Sequence, residues 1–385
     1  MSGGIDRRTL LARGLGAACC LAATPLVTPV VLAAAPGENR LVVIVLRGAM
    51  DGLAVFPPLG DPALAALRPR LAATNGAIEL DGRFGMHPAL APLEPLWRRG
   101  QLAVAQAVAT PYREKRSHFD GQDLLEAGVT APAEVKNGWL NRALALMPGA
   151  QAETALSVGR ESMLLLRGDA PARAWSPGDR LRLLRNDDRG LLDLLYRGDP
   201  LFMSAAQAAA AFSGLDETAD GDATGDPIAR FAGARLAAEA RIAAFSIGGW
   251  DTHVAQGNAI LQPLRRLAEA IGSLEAALGP AWGRTLVIAM TEFGRTAREN
   301  GNGGTDHGTG GAALLAGGAL VGGRVYGDWP GLSEGALYQG RDLTPTIDVR
   351  HFPARALVGL FGLQPAAVAR DVFPGLDMAG PEFLA

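Results

Sequence analysis

Asp306 and His307 stand side by side in the stretch 303–311, Gly-Gly-Thr-Asp-His-Gly-Thr-Gly-Gly. A carboxylate beside an imidazole is a donor pair for a divalent metal. The flanking glycines let the backbone turn tightly and come close to a ligand. Alone, such a pair is more often an ordinary solvated turn. Four further clusters shift that balance. Asp51 ends the stretch Arg47-Gly48-Ala49-Met50-Asp51. Ser117 and His118 follow Arg113, Lys115 and Arg116. Asp251 and His253 close Gly248-Gly249-Trp250-Asp251-Thr252-His253. Glu292 and Arg295 lie in Thr291-Glu292-Phe293-Gly294-Arg295. Asp51, Asp251, His253, Glu292, Asp306 and His307 are the candidate metal ligands. Ser117 is a candidate nucleophile and His118 a general acid or a further ligand. Lys115, Arg116 and Arg295 are cations suited to an anionic group.

Each cluster follows or adjoins an apolar run of strand character. Leu41–Leu46, Leu102–Val108, Ile242–Ile247 and Thr285–Met290 are continuous and rich in aliphatic residues, the pattern of strands buried on both faces. Residues 312–316 read as a further strand, and 322–326 and 164–166 as short ones. Ile260, Leu264, Leu267, Ile271, Leu274 and Leu278 form a helical stripe between the third and fourth runs. Pro88 opens another helix, with His87 at its entry, and residues from Thr344 onward read as a C-terminal helix carrying His351. The fold class is therefore α/β, a mainly parallel central sheet flanked by helices. In such sheets ligands bind beyond the carboxyl ends of the strands, which brings the polar clusters to one edge. Asp251 and His253 are two residues apart, so in extended backbone they face the same side.

The chain has 385 residues and a formal net charge of −3, without a basic block, which speaks against a nucleic-acid partner. Arg7-Arg8 precedes an apolar run ending in Ala33-Ala34-Ala35, the pattern of a removable twin-arginine export signal. Residues 1–35 read as that signal, with no permanent membrane anchor, and 36–385 as one α/β domain. Within it, 176–240 reads as a mostly helical insertion. Both cysteines, Cys19 and Cys20, fall in the signal. The mature chain then has no disulfide, thiolate ligand or cysteine nucleophile.

The five motifs together resemble a bacterial exported family of unknown function, grouped with the alkaline phosphatase and sulfatase superfamily. The resemblance covers nearly the whole mature chain. It implies an alkaline-phosphatase-like domain and a periplasmic or extracellular location, reached through the twin-arginine export machinery. It also implies one or two divalent ions (Zn, Mn, Mg or Ca). Asp51, Asp306 and His307 would form one metal site beside Ser117, and Asp251 and His253 would belong to a second. Ser117-His118-Phe119-Asp120 lacks the Pro and Arg that formylglycine sulfatases need. Two functions follow: a metal-dependent hydrolase of anionic phosphate or sulfate esters, or a non-catalytic exported binding or assembly protein that keeps the metal pocket.

Overall fold

The computed structural model describes residues 37–71, 76–113, 116–159, 163–175 and 225–385. The signal read over 1–35, Lys115 and most of the insertion read over 176–240 lie outside these residues.

The strands are β1 (Arg40–Leu46), β2 (Ile78–Glu79), β3 (Gly85–Met86), β4 (Leu102–Ala109), β5 (Ala155–Val158) and β6 (Arg173–Trp175), then β7 (Ile242–Ile247), β8 (Thr285–Met290), β9 (Gly311–Ala316), β10 (Arg324–Tyr326) and β11 (Ile347–Asp348). Apart from the β2–β3 ribbon, they form one sheet ordered β10-β4-β9-β8-β1-β7-β5-β6, with β11 also beside β4. β1 sits centrally and pairs in parallel with β7 and β8, Leu41 opposite Ile242 and Arg40 opposite Thr285.

Alternation along β1 explains the layering. Leu41, Val43 and Val45 enter one core, and Val42, Ile44 and Leu46 the other, because successive side chains leave opposite faces of a strand. The longer helices are α1 (His118–Ala127), α2 (Trp139–Leu146), α3 (Pro227–Ala237), α4 (Leu261–Leu278) and α5 (His351–Phe361). α4 covers one face through Leu264, Leu267, Ile271 and Leu274, and α3 shares that core through Ala229, Ala232 and Leu236. α2 and α5 cover the other face through Trp139, Leu140, Phe352 and Leu357. The apolar runs at 41–46, 102–108, 242–247, 285–290 and 312–316 are thus all strands of one mainly parallel sheet between helical layers.

Several details differ from the sequence reading. β9 runs antiparallel to both β4 and β8. Asp306 and His307 therefore precede their strand, and reach the same edge because β9 starts there. The apolar triplet Leu164–Leu166 is a 3-10 turn rather than a strand. The C-terminal helix begins at His351, after the short strand Ile347–Asp348. The segment after Arg116 is helical from His118, although its charged start reads as a loop. No helix among the described residues is long and apolar enough to cross a membrane.

Candidate metal centre

The loops beyond β1, β7 and β8 interlock through one side chain. Arg295 is fully buried and donates to the carbonyls of Ala49 (2.8 Å), Gly48 (2.7 Å), Trp250 (3.1 Å) and Thr305 (3.2 Å), and to Asp251 Oδ1 (2.5 Å). This spends its donors on backbone that would otherwise be buried and unsatisfied. The glycines of the 303–311 loop allow the same compaction. A Cβ on Gly304 would lie 2.3 Å from the His253 carbonyl, and one on Gly308 would lie 2.3 Å from the Arg295 carbonyl carbon.

Three imidazoles converge above this knot. His307 points its Nδ1 at the carbonyl of Arg116, 2.8 Å away. His118 points Nδ1 at Glu292 Oε1, also 2.8 Å away. His253 turns Nδ1 toward Asp306 Oδ1 at 3.5 Å. An Nδ1 facing a carbonyl or carboxylate carries the proton, and this assigns the tautomers. Each Nε2 is then left with a lone pair. His253 Nε2 and His307 Nε2 are 3.0 Å apart, and both face Asp251 Oδ1, at 2.9 and 3.3 Å. His118 Nε2 lies 3.4 Å from the same oxygen; it is buried and has no hydrogen-bond partner. His118, Asp251 and His307 each place one ligand atom within 4.8 Å of the others.

Arg295 relieves part of the repulsion among these lone pairs, with Nη1 3.4 Å from His253 Nε2 and Nη2 bonded to Asp251 Oδ1; a further cation would relieve the rest. The clustered donors are the His118 and His307 nitrogens and the Asp251 oxygen, with His253 Nε2 3.0 Å from His307 Nε2 and anchored rings behind them. That set fits zinc or a similar borderline divalent ion, and a carboxylate or carbonyl behind each histidine is the usual support of a ligating imidazole. The electrostatics agree. Burial works against the Asp251 charge, but the hydrogen bond and charge of Arg295 hold its carboxyl at about 2. The hydrogen bond to Glu292 raises the pKa of His118 against the effect of burial, so without a metal this ring attracts a proton in the metal's place. Burial lowers the pKa of His307 and favours the neutral ring that a ligand requires.

The assembly regroups the expected sites. Asp251, His253 and His307 come together, and His118 joins them. Asp51 does not. Its Oδ2 accepts from Arg68 at 2.7 Å and Gln256 at 2.6 Å, and its Oδ1 accepts from the Leu53 amide. Asp306 stands behind His253 and accepts from the Asn300 amide at 3.1 Å. Neighbours in extended backbone point apart, so Asp306 and His307 serve different places. Glu292 is fully buried and accepts from the Gly48 and Ala49 amides, from Gln122 and from His118. It anchors the His118 ring. The Ser117 hydroxyl accepts from the Asp120 amide as the cap of α1. Arg116 pairs with the buried Asp342 at 2.8 Å and serves His307 through its carbonyl.

Gln122, Asn300 and Asp342 escaped the sequence reading. Gln122 lies one helical turn after His118, a spacing that faces both to the same side. It is visible once Ser117-x-x-Asp120 is read as a helix start. Asn300 and Asp342 act through distant partners and leave no local signal. Backbone geometry marks the same loops. Ala49, Arg116 and Ala255 adopt positive φ at 60°, 48° and 46°, each at a cost of roughly 1–3 kcal/mol that tends to gather at functional sites.

Residues 38–373 match the model of a protein family described as of unknown function, DUF1501. The chain belongs to this family. No curated protein sequence matches it. Among solved structures it is similar to Ps i-CgsB in complex with k-i-k-neocarrahexaose, at 9% identity over 85% of this chain and 73% of that one, TM-score 0.39. It is also similar to the C-terminal periplasmic domain of EcEptC from Escherichia coli, at 12% identity over 74% of each chain, TM-score 0.35. A third is a protein in the alkaline phosphatase superfamily from Vibrio parahaemolyticus, at 12% identity over 89% of this chain and 71% of that one, TM-score 0.37. At such identities no side-chain role passes from one chain to the other.

Proposed function

We propose that this protein is an exported, metal-dependent hydrolase of phosphate or sulfate esters, with one divalent ion held by His118, His253, His307 and Asp251. The observation that carries this reading is the convergence of three anchored imidazole Nε2 atoms on Asp251 Oδ1. When bound, the ion supplies Lewis-acid activation of water and of an ester oxygen. The protein's own groups orient and neutralise. Glu292, Asp306 and the Arg116 carbonyl fix the rings. Arg295 offsets part of the Asp251 charge and is held too firmly by backbone carbonyls to move. Asp251, His253 and Asp306 keep 46%, 40% and 55% of their side-chain surface exposed, so a substrate has access from that side. Arg7-Arg8 and the apolar run behind it support the export part of this reading.

One observation favours the non-catalytic alternative. Ser117, Arg116 and Arg295, the expected nucleophile and anion clamps, are all engaged structurally. The experiment is elemental analysis of the protein purified without chelators, followed by assays with aryl phosphates, phosphodiesters and aryl sulfates. We expect about one equivalent of a divalent metal, lost in His307→Ala and His253→Ala, and turnover of at least one ester class. Metal without turnover supports the binding protein, and a metal-free protein that takes up no zinc or manganese overturns both readings.

A further inference from the structure

A cavity of about 490 Å³ opens beside the centre, with Asp306 and Asn300 in its wall. This is the size of a small-molecule site. Ala63, Ala66, Leu67, Leu332 and Leu337 give the lining its apolar part. Interleaved with them are the polar groups of Arg298, Arg341, Ser333, Glu334 and Asp306, while Asn300 is spent on the His253 carbonyl, on Asp306 and on the amides of Asn302 and Gly304. Glu299 also lines it but is spent on Arg70, at 2.7 Å. Arg341 retains its second Nη beyond the bond from Nη1 to Asp342.

The lining has neither a dominant charge nor an all-apolar surface. It therefore suits a ligand that combines hydroxyls with apolar C–H surface, as a pyranose ring does. A fully charged ligand would meet Glu334 and Asp306 as well as the two arginines. A purely apolar one would cover Arg298, Ser333, Glu334 and the second Nη of Arg341 without giving them partners. Asp306 links the cavity wall to the centre: it stands 3.5 Å behind Nδ1 of the half-exposed His253, whose Nε2 is 2.9 Å from Asp251 Oδ1.

We infer that this cavity is a binding subsite for a sugar or similar polyol, and that it receives the alcohol part of the ester whose acid part meets the metal centre. The inference rests on the proposed hydrolase for the second clause only, since the cavity's chemistry stands without turnover.

The test compares glucose 6-sulfate and glucose 6-phosphate with methyl sulfate and methyl phosphate on the metal-loaded protein, by calorimetric binding and by turnover. Two variants address the cavity without touching the centre. Ala66→Trp fills it from an exposed helical position, and Arg298→Ala removes an exposed donor. The sugar esters are expected to bind about tenfold or more tightly than the methyl esters, the worth of one or two added hydrogen bonds. Each variant should erase most of that preference with metal content unchanged. Equal binding of sugar and methyl esters, or a preference that survives both variants, overturns the subsite. Sugar-ester preference without hydrolysis keeps the subsite and removes the hydrolase. Hydrolysis without preference does the reverse.

Discussion

His118 Nδ1 lies 2.8 Å from Glu292 Oε1, and through this contact the end of β8 holds the first residue of α1. Glu292 is fully buried, and its charge is offset by amides of the loop after β1, by Gln122 and by the imidazole. Burial alone would raise the pKa of Glu292, but those hydrogen bonds bring it below the ordinary value, so it stays ionised. Glu292→Gln keeps the shape and removes the charge. Metal affinity should fall about 10–100-fold, the usual effect of losing the carboxylate behind a ligating histidine. Competition against a chelator of known affinity measures this. Unchanged affinity would mean that Glu292 serves only the loop amides.

Asp51 separates a structural carboxylate from a ligand. Its side chain and that of Arg68 are each 1% exposed and 2.7 Å apart. Asp51→Asn leaves the buried guanidinium without its counter-charge, a change that costs about 3–5 kcal/mol. Arg68 also donates to the carbonyls of Thr296 and Ala297, so the loop before Asp306 should loosen with it. Denaturant unfolding is expected to show that loss, while a protein that still folds keeps its full metal stoichiometry. Loss of the metal at undiminished stability would instead make Asp51 a ligand.

These two residues show what the sequence made legible. Strand positions were readable because aliphatic runs buried on both faces have no amphipathic ambiguity, and the strand-end loops were readable because polar residues there have no packing reason to cluster. The pairing of Asp251 with His253 followed from the two-residue period. The partition among ligands did not. Asp51, Glu292 and Asp306 are as metal-like in type as Asp251, and their roles depend on Arg68, His118 and Asn300, whose proximity only the tertiary fold creates. His118 was readable as a functional residue, but its assignment needed the orphaned Nε2. The direction of β9 had no sequence signal, since an apolar run reads the same for either orientation.

His351 carries a pH-dependent share of stability. It is 2% exposed, and burial lowers its pKa below the ordinary 6.5, although the Pro381 carbonyl at 3.2 Å acts the other way. In the unfolded chain the ring takes a proton as pH falls through about 6.5, while the folded ring takes it only at lower pH. The unfolded state thus gains protons first. Stability from this group is complete above about pH 6.5 and declines below it, by at most about 1.4 kcal/mol per pH unit until the folded ring also protonates. Melting temperatures of wild type and His351→Gln between pH 7.5 and 5 measure its share. Wild type should lose more stability than the variant over that interval, and parallel curves would place the titration elsewhere.

The glycine loop makes the last case. A Cβ on Gly308 would meet the carbonyl carbon and oxygen of Arg295 at 2.3 and 2.4 Å and the Thr296 amide at 2.7 Å. These are backbone atoms, fixed by the Arg295 donors and by the bond from the Gly308 amide to the Gly294 carbonyl at 2.8 Å. They cannot yield as a side-chain end would. Gly308→Ala should therefore cost about 3 kcal/mol, toward the upper end of overpacking penalties. It should also displace His307, the neighbouring residue, and weaken metal binding. Gly301→Ala in the same loop is the control, because a Cβ there meets nothing within 4 Å and its φ is not positive. That change should stay within about 0.5 kcal/mol of wild type with metal affinity intact. If both variants behave alike, in unfolding and in metal titration, close backbone approach is not what the 303–311 glycines provide.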